Sequence, residues 1–297
     1  MSILPKTNLP LPTMYDLPSE EVGDSGMPDQ FHVEQAMLLN ETFLPPSMPR
    51  DQVFSAIDMN LYYDWRHTDW YKRPDWFGVV GVPSLYEGHD MRWSYVVWHE
   101  KRPPLIVVEL LSEGTEKEDL GETLREVNQP PGKWEVYERI LRVPYYAVFG
   151  RFAEEPRFFK LQGKKYVELT NHGGHFRIPE AQLSLGLWHG IYNGVEHLWL
   201  RWYDGSGNLI PTREERAYEA WQHAQEERLR ANQAVMRAEQ ETKRAEQEAN
   251  RAEQQAKLVE QERLRAEQEQ LRAEQEKQRA ERLAEKLRQL GFDPEQL

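Results

Sequence analysis

The chain has 297 residues, a formal net charge of −13, 39% hydrophobic residues and no cysteine. Its length suits one large domain or two modest ones. The missing cysteines exclude disulfides and Cys-based zinc sites, and the acidic balance argues against non-specific polyanion binding, which depends on clustered Lys and Arg.

The opening MSILPKTNLPLPTMYDLPSEEVGDSG has no basic segment followed by an apolar one, so no signal peptide is expected. No run of about 20 apolar residues occurs, so no transmembrane helix is expected either. The expectation is a soluble, cytoplasmic protein.

Residues 1–39 are rich in Pro and acids and read as an irregular N-terminal arm, with room for a short helix in FHVEQAMLLN. In DQVFSAIDMNLYYDWRHT, the apolar residues Val53, Ile57, Leu61 and Tyr62 have a helical spacing. That spacing predicts a helix over Asp51–Thr68, capped by Ser47 or Asp51. A strand series follows. WFGVVGVP, centred on Val79–Val80, is the first, MRWSYVVWHE a second or an edge turn, and LIVVELLS the third. KWEVYERILR, Lys133 to Arg142, has helical spacing, with Pro144 just beyond it. YYAVFG, FFKLQGKKYVEL and FRIPEAQLSLGLWHGIY read as short strands with Gly-rich turns. The pattern predicts a mixed α/β domain over residues 40–211.

Residues 212–297 change character. Arg-Ala-Glu-Gln starts at Arg237, Arg244, Arg251, Arg265 and Arg272, with a variant at Arg279, so the repeat is seven residues. Pro and Gly are absent until Gly291. This predicts a long charged helix extending over roughly 100 Å. Ala fills one heptad position and its neighbours are mostly polar. A solvated single helix and a weak Ala-lined coiled coil joining copies of the chain both fit that pattern.

Glu109 stands out. It lies inside Ile106-Val107-Val108-Glu109-Leu110-Leu111, a run that reads as a strand buried on both faces. A carboxylate there must be paired, neutralised or bound to a metal, because burying a bare charge costs several kcal/mol or more. Asp75, directly after Pro74, opens the preceding strand, and Lys133 opens the following helix. Carboxylates on adjacent strands can hold Mg²⁺ through oxygen ligands. A nearby lysine can position a water or stabilise charge building on a phosphate. The aromatic cluster WRHTDWYKRPDW could stack on bases, but core and interface packing is the preferred reading.

RPD ahead of a strand, PPLIVVELLS, and KWEVYERILRVPYYAVF together resemble the Uma-type family of restriction-endonuclease-like proteins in the PD-(D/E)xK nuclease superfamily. The resemblance spans residues from about 43 to 200, and the Ala/Glu/Gln/Arg tail ending in LGFDPEQL looks like tails on members of that family. It implies a restriction-endonuclease-like fold, a mixed sheet flanked by helices, with the long C-terminal helix appended. It also implies an endonuclease acting on DNA with Mg²⁺ or Mn²⁺. Asp75 matches the Asp of the first motif and Glu109 the acid of the second, and both are expected to hold the metal. The lysine slot two residues after Glu109 is Leu111, so Lys133 is expected to supply the catalytic lysine, with LREVNQPPG read as an insertion ahead of it. The rival is an inactive nuclease-fold scaffold whose helix mediates assembly.

Overall fold

The computed structural model describes residues 27–112, 114–123, 129–170 and 174–289. The arm before residue 27, part of LREVNQPPG, and LGFDPEQL with the helix end at Gly291 lie outside the described residues.

Helix α1 (Gln30–Thr42) starts where the Asp29 carboxylate accepts the His32 N–H at 3.1 Å, an N-cap that satisfies one of the helix's free donors. It buries Phe31, Ala36, Leu38 and Leu39 in the core. So the core of the front unit begins before residue 40.

The helix expected over Asp51–Thr68 does not form. Instead β1 (Val53–Ile57) and β2 (Leu61–Tyr62) occupy that stretch, with a single 3₁₀ turn at Arg50–Gln52. β1 pairs antiparallel along its whole length with a central strand, from Val53↔Val80 to Ile57↔Trp76. Those ladder bonds outweigh the helical spacing, because β-branched Val53 and Ile57 and aromatic Phe54 suit a pleated surface. The left-handed Asp58 (φ 46°) then turns the chain. Ser47 caps nothing; its hydroxyl donates to the Glu180 carbonyl at 3.1 Å.

Chain order continues through β3 (Tyr71–Lys72), β4 (Trp76–Val80), β5 (Tyr95–Val96) and a helical turn α2 (Val97–Glu100). MRWSYVVWHE thus supplies a two-residue strand and a turn. Then come β6 (Ile106–Leu111), α3 (Glu116–Asp119) and α4 (Lys133–Glu135), which runs into a π-helical turn over Val136–Ile140. The remaining strands are β7 (Tyr145–Gly150), β8 (Arg157–Gln162), β9 (Lys165–Glu168), β10 (His175–Ile178), β11 (Leu183–Tyr192) and β12 (Val195–Tyr203), followed by α5 (Arg213–Gln289).

The main sheet has six strands in the order β1-β4-β6-β7-β8-β9. β6 and β7 are parallel and the other neighbours antiparallel. Two three-stranded sheets, β10-β11-β12 and β3-β2-β5, complete a mixed α/β architecture. Side chains alternate across a strand, and β6 shows what that means here. Ile106, Val108 and Leu110 enter a core cluster shared with α1 and β10–β12. Val107 enters a second cluster, with Val136, Tyr137 and Tyr146. Glu109 has the parity of Val107, so it faces the helical segment after residue 133.

The described residues form two compact units, divided between Ala217 and Tyr218. The first turn of α5 belongs with the front unit. Thr212 and Glu215 form a capping box there: the Glu215 N–H donates to Thr212 Oγ1 at 3.1 Å, and the Thr212 N–H to Glu215 Oε2 at 2.7 Å. Glu215 also takes the fully buried Arg201 guanidinium. The rest of α5 is a charged helix with no buried residue among those described. Its pairs, such as Lys257–Glu253 at 2.7 Å, join residues three or four apart on exposed faces, each contributing a few tenths of a kcal/mol.

Candidate active site

The ladder between β4 and β6 decides where the two acids meet. Trp76 pairs with Val108 in an antiparallel register. One step further along that register, Asp75 falls opposite Glu109. Asp75 has the parity of Phe77 and Val79 and Glu109 that of Val107, so both carboxylates lie on the same side of the sheet.

Their groups are interlocked. The Asp75 N–H donates to Glu109 Oε2 at 3.2 Å. The Leu110 N–H donates to Asp75 Oδ2 at 2.6 Å. Glu109 is fully buried and Asp75 nearly so.

Lys133 and Tyr137, four residues apart in sequence, also hold Glu109. The Lys133 ammonium donates to Oε2 at 3.0 Å and the Tyr137 hydroxyl to Oε1 at 2.8 Å. The π-helical turn, closed by the Leu141 N–H on the Val136 carbonyl at 2.8 Å, lies between Lys133 and the left-handed Arg142 (φ 55°). The three residues singled out from the sequence are therefore gathered in one cluster.

Sequence reasoning missed one member. Asp119, at the end of α3, is fully buried, with Oδ1 2.8 Å from the Lys133 ammonium. The two are close enough for an ion pair, yet among the described residues neither Asp119 oxygen accepts a well-aligned hydrogen bond. The Tyr146 hydroxyl donates to the Asp119 carbonyl at 2.9 Å. Asp119 sits in DLGET, an acid in an otherwise ordinary polar stretch. Its cues in the sequence were that position ahead of the lysine helix and the Asp-x-Gly-Glu pattern of DLGET. The neighbouring Glu118 accepts the Lys133 N–H at 3.2 Å and the Lys72 ammonium at 3.1 Å.

Electrostatics follow from the burial. Burial pushes Asp75 up to about 6 against the pull of the Lys133 ammonium. Burial also lifts Glu109 well above the usual carboxylate range, and the neighbouring charges of Asp119 and Asp75 add to the effect while Lys133 opposes it. Burial alone would depress Lys133, but Glu109, Asp119 and Asp75 hold it well above its ordinary value. The raised acids hold on to protons that a further cation could displace.

The donors available to such a cation are carboxylate oxygens, which suit Mg²⁺ or Mn²⁺. Among the described residues, no three His, Asp or Glu side chains converge to hold one ion. An ion here would take Asp75 and Glu109 as its protein ligands. The aromatic cluster divides between packing and surface. Trp76 is fully buried, His67 stacks on Trp70 at 4.0 Å, and Trp65 is exposed.

No curated protein matches the chain. A family model does: it covers residues 7–194 and carries the description "Putative restriction endonuclease". That match takes in Asp75, Glu109, Asp119, Lys133 and Tyr137, and it covers more than half of the chain. The chain belongs to the Uma2 family.

Proposed function

We propose that the protein is a metal-dependent endonuclease that hydrolyses DNA phosphodiesters. The observation that carries this is the pairing of Asp75 and Glu109 on one face of the β4–β6 ladder, with the Lys133 ammonium 3.0 Å from Glu109. Asp75 and Glu109 would hold the divalent ion, which in such sites supplies Lewis acidity and a more acidic bound water.

The chain's own groups do the rest. The Leu110 N–H holds the Asp75 carboxylate. The Tyr137 hydroxyl occupies Glu109 Oε1, while Oε2 takes the Lys133 ammonium and the Asp75 N–H, so an incoming cation at Oε2 would compete with both. The Lys133 ammonium stabilises negative charge growing on a phosphate oxygen. It is a compact point charge suited to that task, and it is fixed before the reaction begins.

Calorimetry and thermal melts with Mn²⁺ test the metal, and nicking of supercoiled plasmid tests the chemistry. Wild type is expected to bind Mn²⁺ and to melt at a higher temperature with it, by mass action on the folded state. Glu109→Gln is expected to lose both effects. Lys133→Ala is expected to keep Mn²⁺ affinity and lose roughly 10²-fold or more in nicking rate. Wild type that neither binds Mn²⁺ nor nicks DNA would support the scaffold reading, in which the cluster is a structural ion network. In either case any self-association through α5 is expected to be modest, because its repeated heptad position is mostly Ala. Among the described residues no helix is long and apolar enough to cross a membrane.

A further inference from the structure

Asp119 is a buried acid of the cluster that metal-dependent cleavage leaves without a task. Its carboxylate is fully buried, and among the described residues no backbone or hydroxyl donor is aligned on either oxygen. Burying such a group without a partner is costly, and the Lys133 ammonium at 2.8 Å is the charge that offsets it.

The surrounding bonds hold Asp119 in place by other means than that ammonium. The Tyr146 hydroxyl fixes its carbonyl. Next to it, Glu118 ties the Lys133 N–H and the Lys72 ammonium together. Two consecutive acids thus take the main chain and the side chain of the same lysine.

The ammonium is shared. It lies 3.0 Å from Glu109 Oε2 and 2.8 Å from Asp119 Oδ1. A divalent cation on Glu109 would compete for Oε2 and repel the ammonium. With Glu109 as its sole anion, Lys133 would be driven out as the metal entered. Asp119 gives it an anion that the metal does not use.

We propose that Asp119 is the positioning residue of Lys133: it keeps the ammonium at the site when a cation takes over Glu109. This role rests on the metal-dependent reading above.

The test follows the ammonium itself. Protein labelled with ¹⁵N-lysine is examined by NMR for slowly exchanging Nζ–H signals, with and without saturating Mg²⁺. Lys133→Arg assigns the Lys133 signal by its disappearance, and calorimetry reports Mg²⁺ binding separately. In wild type the signal is expected to shift on adding Mg²⁺ and to persist. In Asp119→Asn it is expected without metal, where Glu109 still holds the ammonium, and to be lost once Mg²⁺ binds. Persistence of the signal in Mg²⁺-bound Asp119→Asn overturns the role. Loss of the signal in Mg²⁺-bound wild type overturns it too, even if the variant fails to fold. If calorimetry of wild type shows no Mg²⁺ binding, the metal reading fails first and the role fails with it, which separates the two failures.

Discussion

Asp75 and Glu109 hold each other across the β4–β6 ladder. The Asp75 N–H donates to Glu109 Oε2, and the N–H of Leu110, the residue after Glu109, donates back to Asp75 Oδ2. Each carboxylate is thus anchored by the main chain of the other's strand. Neither can swing away without breaking a buried hydrogen bond, and an unmet buried donor costs about 1–3 kcal/mol. The pair is set before any cation arrives.

That arrangement makes stability fall with rising pH in the absence of metal. Asp75 is raised from 3.8 to about 6, and Glu109 is raised as well. The folded state therefore binds more protons than the unfolded chain. Stability at this site is fully present below the unfolded value near 4 and is lost as pH rises through about 6. For Asp75 the loss is on the order of 3 kcal/mol at most. Metal-free protein should melt higher at pH 5 than at pH 7, and Asp75→Asn should flatten that part of the curve. The Mn²⁺-induced rise in melting temperature should grow over the same interval, because the cation displaces the protons. Thermal melts at pH 5, 6 and 7 on both proteins check this; parallel curves would count against it.

Tyr137→Phe removes the hydroxyl that donates to Glu109 Oε1 within a fully buried contact. The ring remains, so packing against Tyr146 is kept. The expected loss is about 1.5–3 kcal/mol, the range for a hydrogen bond to a charged group. Urea melts measure it. The loss should grow as pH rises, because an ionised Glu109 needs the donor more than a protonated one. A loss that does not change with pH would mean the hydroxyl supports packing alone.

Where the front unit ends can be tested at Arg201. Its guanidinium is fully buried and held by Glu215, the Ile210 carbonyl and the Trp188 ring. A chain ending after Pro211 lacks Glu215; one ending after Ala217 keeps it. The shorter protein should be less stable by on the order of 2–3 kcal/mol. That is below the range for a fully buried pair because Glu215 is 40% exposed. Equal urea midpoints for the two truncations would show that Glu215 contributes nothing.

The sequence by itself determined the elements whose pattern is local. Glu109 could be placed on a buried strand because one charge interrupts a continuous β-branched run. The helix over Arg213–Gln289 followed from a seven-residue repeat without Pro or Gly. Lys133 could be placed at a helix start because its segment has helical spacing and Pro144 behind it. Tertiary structure decided what depends on partners far along the chain. Val53–Ile57 has a spacing that also fits a helix, and only the ladder with β4 made it a strand. The Asp75–Glu109 juxtaposition came from the antiparallel register of β4 with β6, which no local period encodes. Asp119 looked like any surface acid in DLGET. Its burial against Lys133, fourteen residues on, arises because the sheet and the two helical turns close around one ammonium, and attraction between charges depends on their distance in space rather than along the chain.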